Sequence, residues 1–162
     1  MLLFHFNLGY PLLDEDAELI TSTAELVPRT DEAKSGIDDY ARFQPPTADY
    51  AAQVFYHDLS ADSHGATCVA LVNKKIELGV AIRFNKNQLF NFTQWKQMGE
   101  GEYVLGLEPC NCYVDGRLDA KNREQLEYLE PGEERQFDVE IEILEGLNEI
   151  KSLVREVSRL AS

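Results

Sequence analysis

The chain has 162 residues, of which 44% are hydrophobic and 27% are charged, as expected for a single globular domain. Its formal net charge is −14, and so acidic a surface repels nucleic-acid phosphates and anionic membranes. No apolar run is long enough to cross a bilayer, and the first residues lack the basic start of a signal peptide. We therefore expect a cytoplasmic protein that has neither a nucleic-acid nor a membrane partner.

Taken in chain order, alternating apolar and polar side chains predict a series of β-strands. These segments are rich in Val, Ile, Phe and Tyr, which strands favour. They span 2–8, 23–27, 52–59, 66–72, 76–84, 88–95, 102–108 and 135–143. In the last of them we expect a buried face made of Phe137, Val139, Ile141 and Ile143, with the intervening polar residues in water.

Two segments depart from this pattern. Residues 29–50 are polar and include Pro45 and Pro46, which predicts a long loop with one helical turn. After residue 145 the apolar spacing becomes helical, which predicts an amphipathic helix over 146–160. The whole pattern predicts a mainly β protein, an antiparallel sandwich or barrel with one short C-terminal helix.

Two ionisable residues lie at positions suited to a functional site. In 2–8, His5 and Asn7 share one face of the strand, where a histidine can act as an acid or base near neutral pH. In 102–108, Glu108 shares a face with Gly106, whose missing side chain leaves room for a ligand. Each residue also has a plain structural interpretation, as a hydrogen-bonded histidine or a solvated charge at a strand end.

Polar and aromatic residues on neighbouring segments are further candidates. His57 and Asp58 end the segment 52–59, and they suit a ligand contact or a solvated turn. Gln94 precedes Trp95, the only tryptophan, which suits either a platform for a sugar ring or core packing. A metal site would need more ligands in a defined geometry, so none is expected.

The cysteines indicate neither a disulfide framework nor a zinc site. Cys68, Cys110 and Cys112 are odd in number and lack the spacing of zinc ligands. We expect reduced, buried thiols.

Four stretches together resemble a known family. They are HFNLGYPLLDEDAEL at 5–19, QVFYHDLSAD at 53–62, FNFTQWKQMGEGEYVLGLEPCNCYVDGR at 90–117 and LEPGEERQFDVEIEIL at 129–144. They are similar to aldose-1-epimerase-like proteins of the galactose mutarotase superfamily, in particular to a poorly characterised bacterial branch. The resemblance runs over about 5–145, nearly the whole chain.

The resemblance implies an antiparallel β-supersandwich that binds a small sugar in an open cleft and interconverts its anomers. Glu108, in its LEP setting, corresponds to the catalytic base, and His5, in HFNL, to the acid. This chemistry requires neither a metal nor an organic cofactor. Sugar contacts are expected from Asn7, His57, Asp58, Gln94, Trp95, Asn111 and Arg117, although Arg117 also suits a salt bridge on an acidic surface.

The resemblance also implies a longer relative. Family members carry an N-terminal half with further strands, so residues 1–162 resemble the C-terminal portion of a supersandwich, taken as one domain. We therefore expect a separate N-terminal half or a homo-oligomeric partner. The alternatives are a carbohydrate-binding or inactive fragment without catalysis, and a β-rich subunit that completes its sheet with another chain.

Overall fold

The computed structural model describes residues 1–161 as two antiparallel sheets with three α-helices. The strands are β1 (Phe6–Leu8), β2 (Ala17–Ile20), β3 (Thr23–Pro28), β4 (Gln53–Leu59), β5 (Ala66–Asn73), β6 (Leu78–Asn85), β7 (Asn91–Gly99), β8 (Glu102–Cys110) and β9 (Val139–Glu145). The helices are α1 (Asp31–Ser35), α2 (Arg117–Asn122) and α3 (Leu147–Leu160), with a 3-10 turn at Ile37–Asp39. One sheet has the order β1-β8-β7-β4-β3, and the other has the order β2-β5-β6-β9.

The main core lies between the two sheets. Phe92 and Leu107 from the five-stranded sheet pack in one buried cluster with Leu71 and Ile82 from the four-stranded sheet. Residues from every strand except β3 contribute to this core or pack against it, and successive side chains of a strand point to opposite faces of its sheet. The predicted mainly antiparallel architecture is confirmed.

Strand β2, which the sequence pattern did not predict, lies at an edge of the four-stranded sheet. It is four residues long and pairs with β5 over 17–20. Ala17 and Leu19 are buried, whereas Glu18 is exposed. A strand this short contains too few alternations to stand out from the preceding acidic turn.

The predicted loop and the predicted C-terminal helix are both present. The segment between β3 and β4 contains only α1 and one 3-10 turn, and the Thr30 hydroxyl caps α1 by accepting a hydrogen bond from the Ala33 amide at 3.2 Å. Helix α3 buries Ile150, Leu153 and Val157. These side chains form a second cluster with β5 and β6, on the face of the four-stranded sheet opposite the main core.

The prediction for the buried face of 135–143 is wrong for two residues. Ile141 is 53% exposed and Ile143 is 55% exposed. They pair with Ile82 and Val80 and therefore face the same side as the core. However, β9 is the edge strand of its sheet, so these side chains are not covered by the five-stranded sheet.

The face of the five-stranded sheet that points away from the main core carries His5, Trp95 and Glu108. The chain leaves β8 at Cys110 and reaches α2 through residues 111–116.

The three cysteines are free and buried. No helix among residues 1–161 has the length and apolar composition needed to cross a membrane.

Candidate active site

A cavity of about 410 Å³ lies on the outer face of the five-stranded sheet. Its lining residues come from the N-terminal segment, from β4, β7 and β8, and from the connection to α2. They are Leu3, His5, Val54, Thr93, Trp95, Glu108 and Val114. The volume falls within the usual range for small-molecule sites.

Glu108 is a buried carboxyl group on the wall of this cavity. It is only 3% exposed, and its Oε1 atom has no hydrogen-bond partner among the described residues. Burial away from water raises the pKa of Glu108 to about 7, because desolvation disfavours the charged form. A carboxyl group with such a pKa can accept or donate a proton near neutral pH.

His5 lies next to this carboxyl group at the sheet edge. Its Nε2 atom is 2.9 Å from Glu108 Oε1, and its side chain is 44% exposed. The distance is that of an ion pair, but the contact lacks the angles of a hydrogen bond. The His5 ring also meets the Trp95 ring edge-to-face, with 5.7 Å between the ring centroids.

Gly106 makes this close approach possible. In the register of β7 and β8, Gly106 pairs with Trp95, and Glu108 pairs with Thr93. A Cβ atom at Gly106 would lie 2.6 Å from Glu108 Oε1, 3.1 Å from Trp95 Cβ and 3.3 Å from His5 Cε1. The space that the sequence predicted beside Glu108 is therefore filled by the side chains of the cavity itself.

Comparison with known proteins places the chain in a family. The profile of a domain of unknown function, DUF4432, matches residues 1–143. The chain belongs to the DUF4432 family.

A solved structure shares the fold of this DUF4432 chain. It is the crystal structure, at 1.90 Å resolution, of a "putative aldose 1-epimerase" from Klebsiella pneumoniae subsp. pneumoniae MGH 78578, with a TM-score of 0.94 and 29% sequence identity. The similarity covers 99% of this chain and 42% of the Klebsiella chain, so the DUF4432 chain spans less than half of that length. No curated protein matches this DUF4432 chain. The predicted resemblance and the predicted epimerase-like β-sandwich are confirmed.

The structure places His57 and Gln94 inside the core, although the sequence suggested them as sugar contacts. His57 is 1% exposed, and its Nε2 atom lies 3.1 Å from Gln94 Oε1 while its Nδ1 atom lies 2.9 Å from Thr23 Oγ1. Gln94 Nε2 donates to the carbonyl of Tyr40 at 2.7 Å. Burial lowers the pKa of His57 to about 4. These contacts hold both side chains in place, and His57, like Asp58, also lines an open cleft of about 850 Å³.

Asp58 and Asn7 lie on the same sheet face as the cavity but do not line it. Asp58 is exposed at the end of β4 and pairs with Lys86 at 2.6 Å. Asn7 is exposed on the edge strand β1, opposite Gly106. Both side chains are open to solvent.

Asn111 and Arg117 lie at a different cavity, of about 470 Å³, beside the N-terminus. Asn111 is buried, accepts a hydrogen bond from the Leu2 amide at 2.6 Å and donates one to Glu127 at 2.9 Å. Arg117 is exposed at the start of α2. Of the nine predicted site residues, the structure brings His5, Trp95 and Glu108 together in one cavity.

Sequence reasoning missed the cluster that holds residues 113–115 against the sheet. Asp115 accepts hydrogen bonds from Arg29 Nε at 2.8 Å and from the Tyr56 hydroxyl at 3.1 Å. Arg123 packs over the Tyr113 ring at 5.3 Å and lies 3.7 Å from Asp115. These residues line a larger open cleft of about 850 Å³, but their charges are paired with one another. Arg29 and Asp115 are 86 residues apart, and no sequence pattern links them.

No metal centre is evident in the described part of the chain. Residues 1–161 contain no group of three or more His, Cys, Asp or Glu side chains that could hold an ion.

Proposed function

We propose that this DUF4432 chain binds a sugar in the 410 Å³ cavity and interconverts its anomers, as an aldose 1-epimerase does. The observation that supports this best is the pair formed by Glu108 and His5. Glu108 is a buried carboxyl group with a raised pKa, and its Oε1 atom accepts no hydrogen bond but lies 2.9 Å from His5 Nε2, beside an aromatic ring that can face a sugar. The fold shared with the Klebsiella protein adds a second line of support.

In the proposed mechanism, Glu108 is the general base and His5 the general acid. The Glu108 carboxylate takes the proton of the C1 hydroxyl, and protonated His5 gives a proton to the ring oxygen. The bond between C1 and the ring oxygen breaks, leaving an open-chain aldehyde. Rotation about the C1–C2 bond exposes the other face of the aldehyde. Ring closure then returns both protons, so neither a cofactor nor a net proton is consumed.

The contact between the two groups constrains how the sugar lies. A base and an acid on opposite sides of the hemiacetal would need a gap between them, whereas His5 and Glu108 are in contact. The C1 hydroxyl and the ring oxygen are attached to the same carbon and share one edge of the sugar. We infer that this edge enters the cavity and separates the pair, with His5 moving because its side chain is half exposed.

Trp95 is the remaining proposed contact with the sugar. It lines the cavity together with the catalytic pair and packs against His5. An indole ring suits the apolar face of a sugar. His57 and Gln94 would act indirectly, by holding β4 and β7 in place.

A second candidate function is carbohydrate binding without catalysis, in a chain that needs further polypeptide to complete its site. Two observations favour it. The chain spans 42% of the Klebsiella protein, and Ile141 and Ile143 are exposed apolar side chains on β9, at one edge of the four-stranded sheet. A further half of the fold or a second copy of the chain would cover these two side chains.

The Glu108→Gln variant separates the two candidates. Anomer exchange is followed by NMR exchange spectroscopy on common aldoses, and sugar binding by the fluorescence of Trp95, the only tryptophan. If the enzyme proposal holds, the wild type exchanges anomers, whereas Glu108→Gln binds sugar without exchanging it. A wild type that binds sugar without exchanging its anomers would support carbohydrate binding without catalysis and exclude the epimerase. A wild type that neither binds sugar nor exchanges anomers would overturn both candidates.

A further inference from the structure

The backbone of His5 is fastened to β8 only through its neighbours in the chain. The Phe4 amide donates a hydrogen bond to the Pro109 carbonyl at 3.0 Å, so these two residues form a hydrogen-bonded pair of the antiparallel ladder. Such pairs alternate with pairs whose backbone groups point away from the partner strand and whose side chains lie closer together. His5 and Glu108 form the next pair along, which explains why their side chains meet.

The attachment on one side of His5 is weakened by Pro109. A hydrogen-bonded pair normally exchanges two bonds, but proline has no N–H group and cannot donate the second bond to the Phe4 carbonyl. Strand β1 is also the edge of its sheet, so no further strand holds this segment from the other side. The position of His5 therefore depends on what holds the chain beyond Pro109.

Asn111 holds the chain at that point. Its backbone amide donates to the Leu2 carbonyl at 3.0 Å, and its Oδ1 atom accepts a hydrogen bond from the Leu2 amide at 2.6 Å. Its Nδ2 atom donates to Glu127 at 2.9 Å, and Glu127 also accepts a hydrogen bond from Arg135 at 2.7 Å. Asn111 is buried, and these contacts satisfy both ends of its side-chain amide.

We propose that Asn111 is a positioning residue for His5, because its side chain clamps Leu2 and thereby fixes the segment from which His5 reaches Glu108. The inference rests on the proposed function, in which His5 separates from Glu108 when the sugar enters and then protonates the ring oxygen. With Leu2 clamped, this movement is confined to the half-exposed side chain of His5. Without the clamp the backbone moves as well, and His5 leaves the position from which its proton reaches the ring oxygen.

The Asn111→Leu variant tests the clamp. Leucine has a similar size but forms neither side-chain hydrogen bond. Because a misplaced catalytic group costs up to roughly 100-fold in rate, anomer exchange at saturating sugar should fall by about 10- to 100-fold. The Kd for sugar, measured by Trp95 fluorescence, should change little, because Asn111 does not line the cavity. Hydrogen exchange at the Phe4 amide should become faster.

A compensated double variant tests whether the hydrogen bonds themselves matter. In Asn111→Asp/Glu127→Gln, the new carboxylate can still accept from the Leu2 amide, and the new amide can donate to its other oxygen. The bond between the two side chains is thus kept with its direction reversed. The exchange rate of this variant should lie closer to that of the wild type than to that of Asn111→Leu.

Asn85→Leu is the matched control for the loss of an asparagine. Asn85 also accepts a hydrogen bond from a backbone amide, that of Asn87 at 2.8 Å, and donates one to the His64 carbonyl at 2.9 Å. It lies at the end of β6 in the other sheet. Its replacement should lower the melting temperature without changing anomer exchange or hydrogen exchange at Phe4.

The outcomes separate this inference from the proposed function. If the wild type exchanges anomers and Asn111→Leu does so equally fast, the inference is overturned and the proposed function stands. A loss of exchange that the compensated variant does not reverse, or that Asn85→Leu shares, would mean that the fold and not the position of His5 was affected, and it would also overturn the inference. A wild type that exchanges no anomers would overturn both.

Discussion

Replacing Gly106 by alanine tests whether the proposed catalytic pair, Glu108 and His5, depends on an empty space in β8. The added Cβ would lie 2.6 Å from Glu108 Oε1, whereas ordinary van der Waals contact begins at 3.4 Å. The carboxylate oxygen must therefore move by about 0.8 Å, or β7 and β8 must separate. Trp95 Cβ, at 3.1 Å, restricts movement in the other direction.

The expected effect on activity is large and the effect on stability small. A misplacement of about 1 Å in a catalytic group costs roughly 100-fold in rate. Overpacking costs about 1–3 kcal/mol, and the loss of chain entropy in the unfolded state returns about 0.4–1 kcal/mol. We expect Gly106→Ala to lower anomer exchange by about 100-fold and the melting temperature by about 3 °C.

Three measurements on one preparation check this expectation. NMR exchange spectroscopy gives the rate, calorimetry gives the melting temperature, and Trp95 emission reports on the geometry of the cavity. Gly9→Ala is the control, because a Cβ at Gly9 would meet only the Tyr103 carbonyl at 3.7 Å. Normal exchange and unchanged Trp95 emission in Gly106→Ala would refute the packing argument.

Three further predictions follow from burial. Because the pKa of Glu108 is about 7 in the fold, against an ordinary value of 4.5 for a solvated glutamate, the folded chain keeps this proton longer, and stability falls as pH rises from 4.5 to 7. Between pH 5 and pH 8, the free energy of unfolding of Glu108→Gln in urea should therefore rise by up to about 3 kcal/mol relative to that of the wild type. Parallel curves of unfolding free energy against pH for the two proteins would contradict this. His57, with a pKa of about 4, binds a proton less readily than the unfolded chain does, so stability is lost as pH falls from 6.5 to 4. Its imidazole signals should show a midpoint near pH 4, and a midpoint above 6 would refute its burial as a neutral group. The Ile141→Thr/Ile143→Thr double variant should bind less of a hydrophobic dye than the wild type, and its free energy of unfolding should change by less than about 1 kcal/mol. Ile82→Thr in the core should lower the free energy of unfolding several times more. Equal losses of unfolding free energy in the two variants would refute the exposure of Ile141 and Ile143 on β9.

The alternation in the sequence correctly predicted the two faces of β8 at the candidate site. In β8, Leu105 and Leu107 are in the core, while Gly106 and Glu108 share the opposite face. This succeeded because the core face of β8 is apolar at consecutive alternate positions, which leaves one assignment of its two faces.

The same reasoning gives no assignment for β4, where a polar residue lies on a core face. In β4, Phe55 and Leu59 point inwards, and His57 lies between them on the same face. Tyr56 on the opposite face is also buried, so apolar character does not distinguish the two sides. Ile141 shows the converse error, because its face was assigned correctly but its burial depends on how far the opposite sheet extends. Such facts are set by tertiary structure and leave no local signal.

Asp115 provides a final prediction, about the wall of the cavity rather than its chemistry. Its carboxylate joins Arg29 and Tyr56, and the preceding residue along the chain, Val114, lines the cavity beside Trp95. Asp115→Asn keeps the size of the side chain and removes its charge. Because the ion pair is partly exposed, its loss should cost no more than about 1 kcal/mol.

The consequence should therefore be local. The segment that carries Val114 would separate more often from the sheet, so acrylamide should quench Trp95 fluorescence more efficiently, with little change in the melting temperature. Asp16→Asn is the matched control, since Asp16 forms an exposed ion pair with Lys75 that shares no residue with the cluster around Asp115, and its loss should leave quenching unchanged. Equal quenching in Asp115→Asn and the wild type would mean that apolar packing alone holds Val114 in place. A large fall in melting temperature would instead mean that the cluster around Asp115 stabilises the whole sheet.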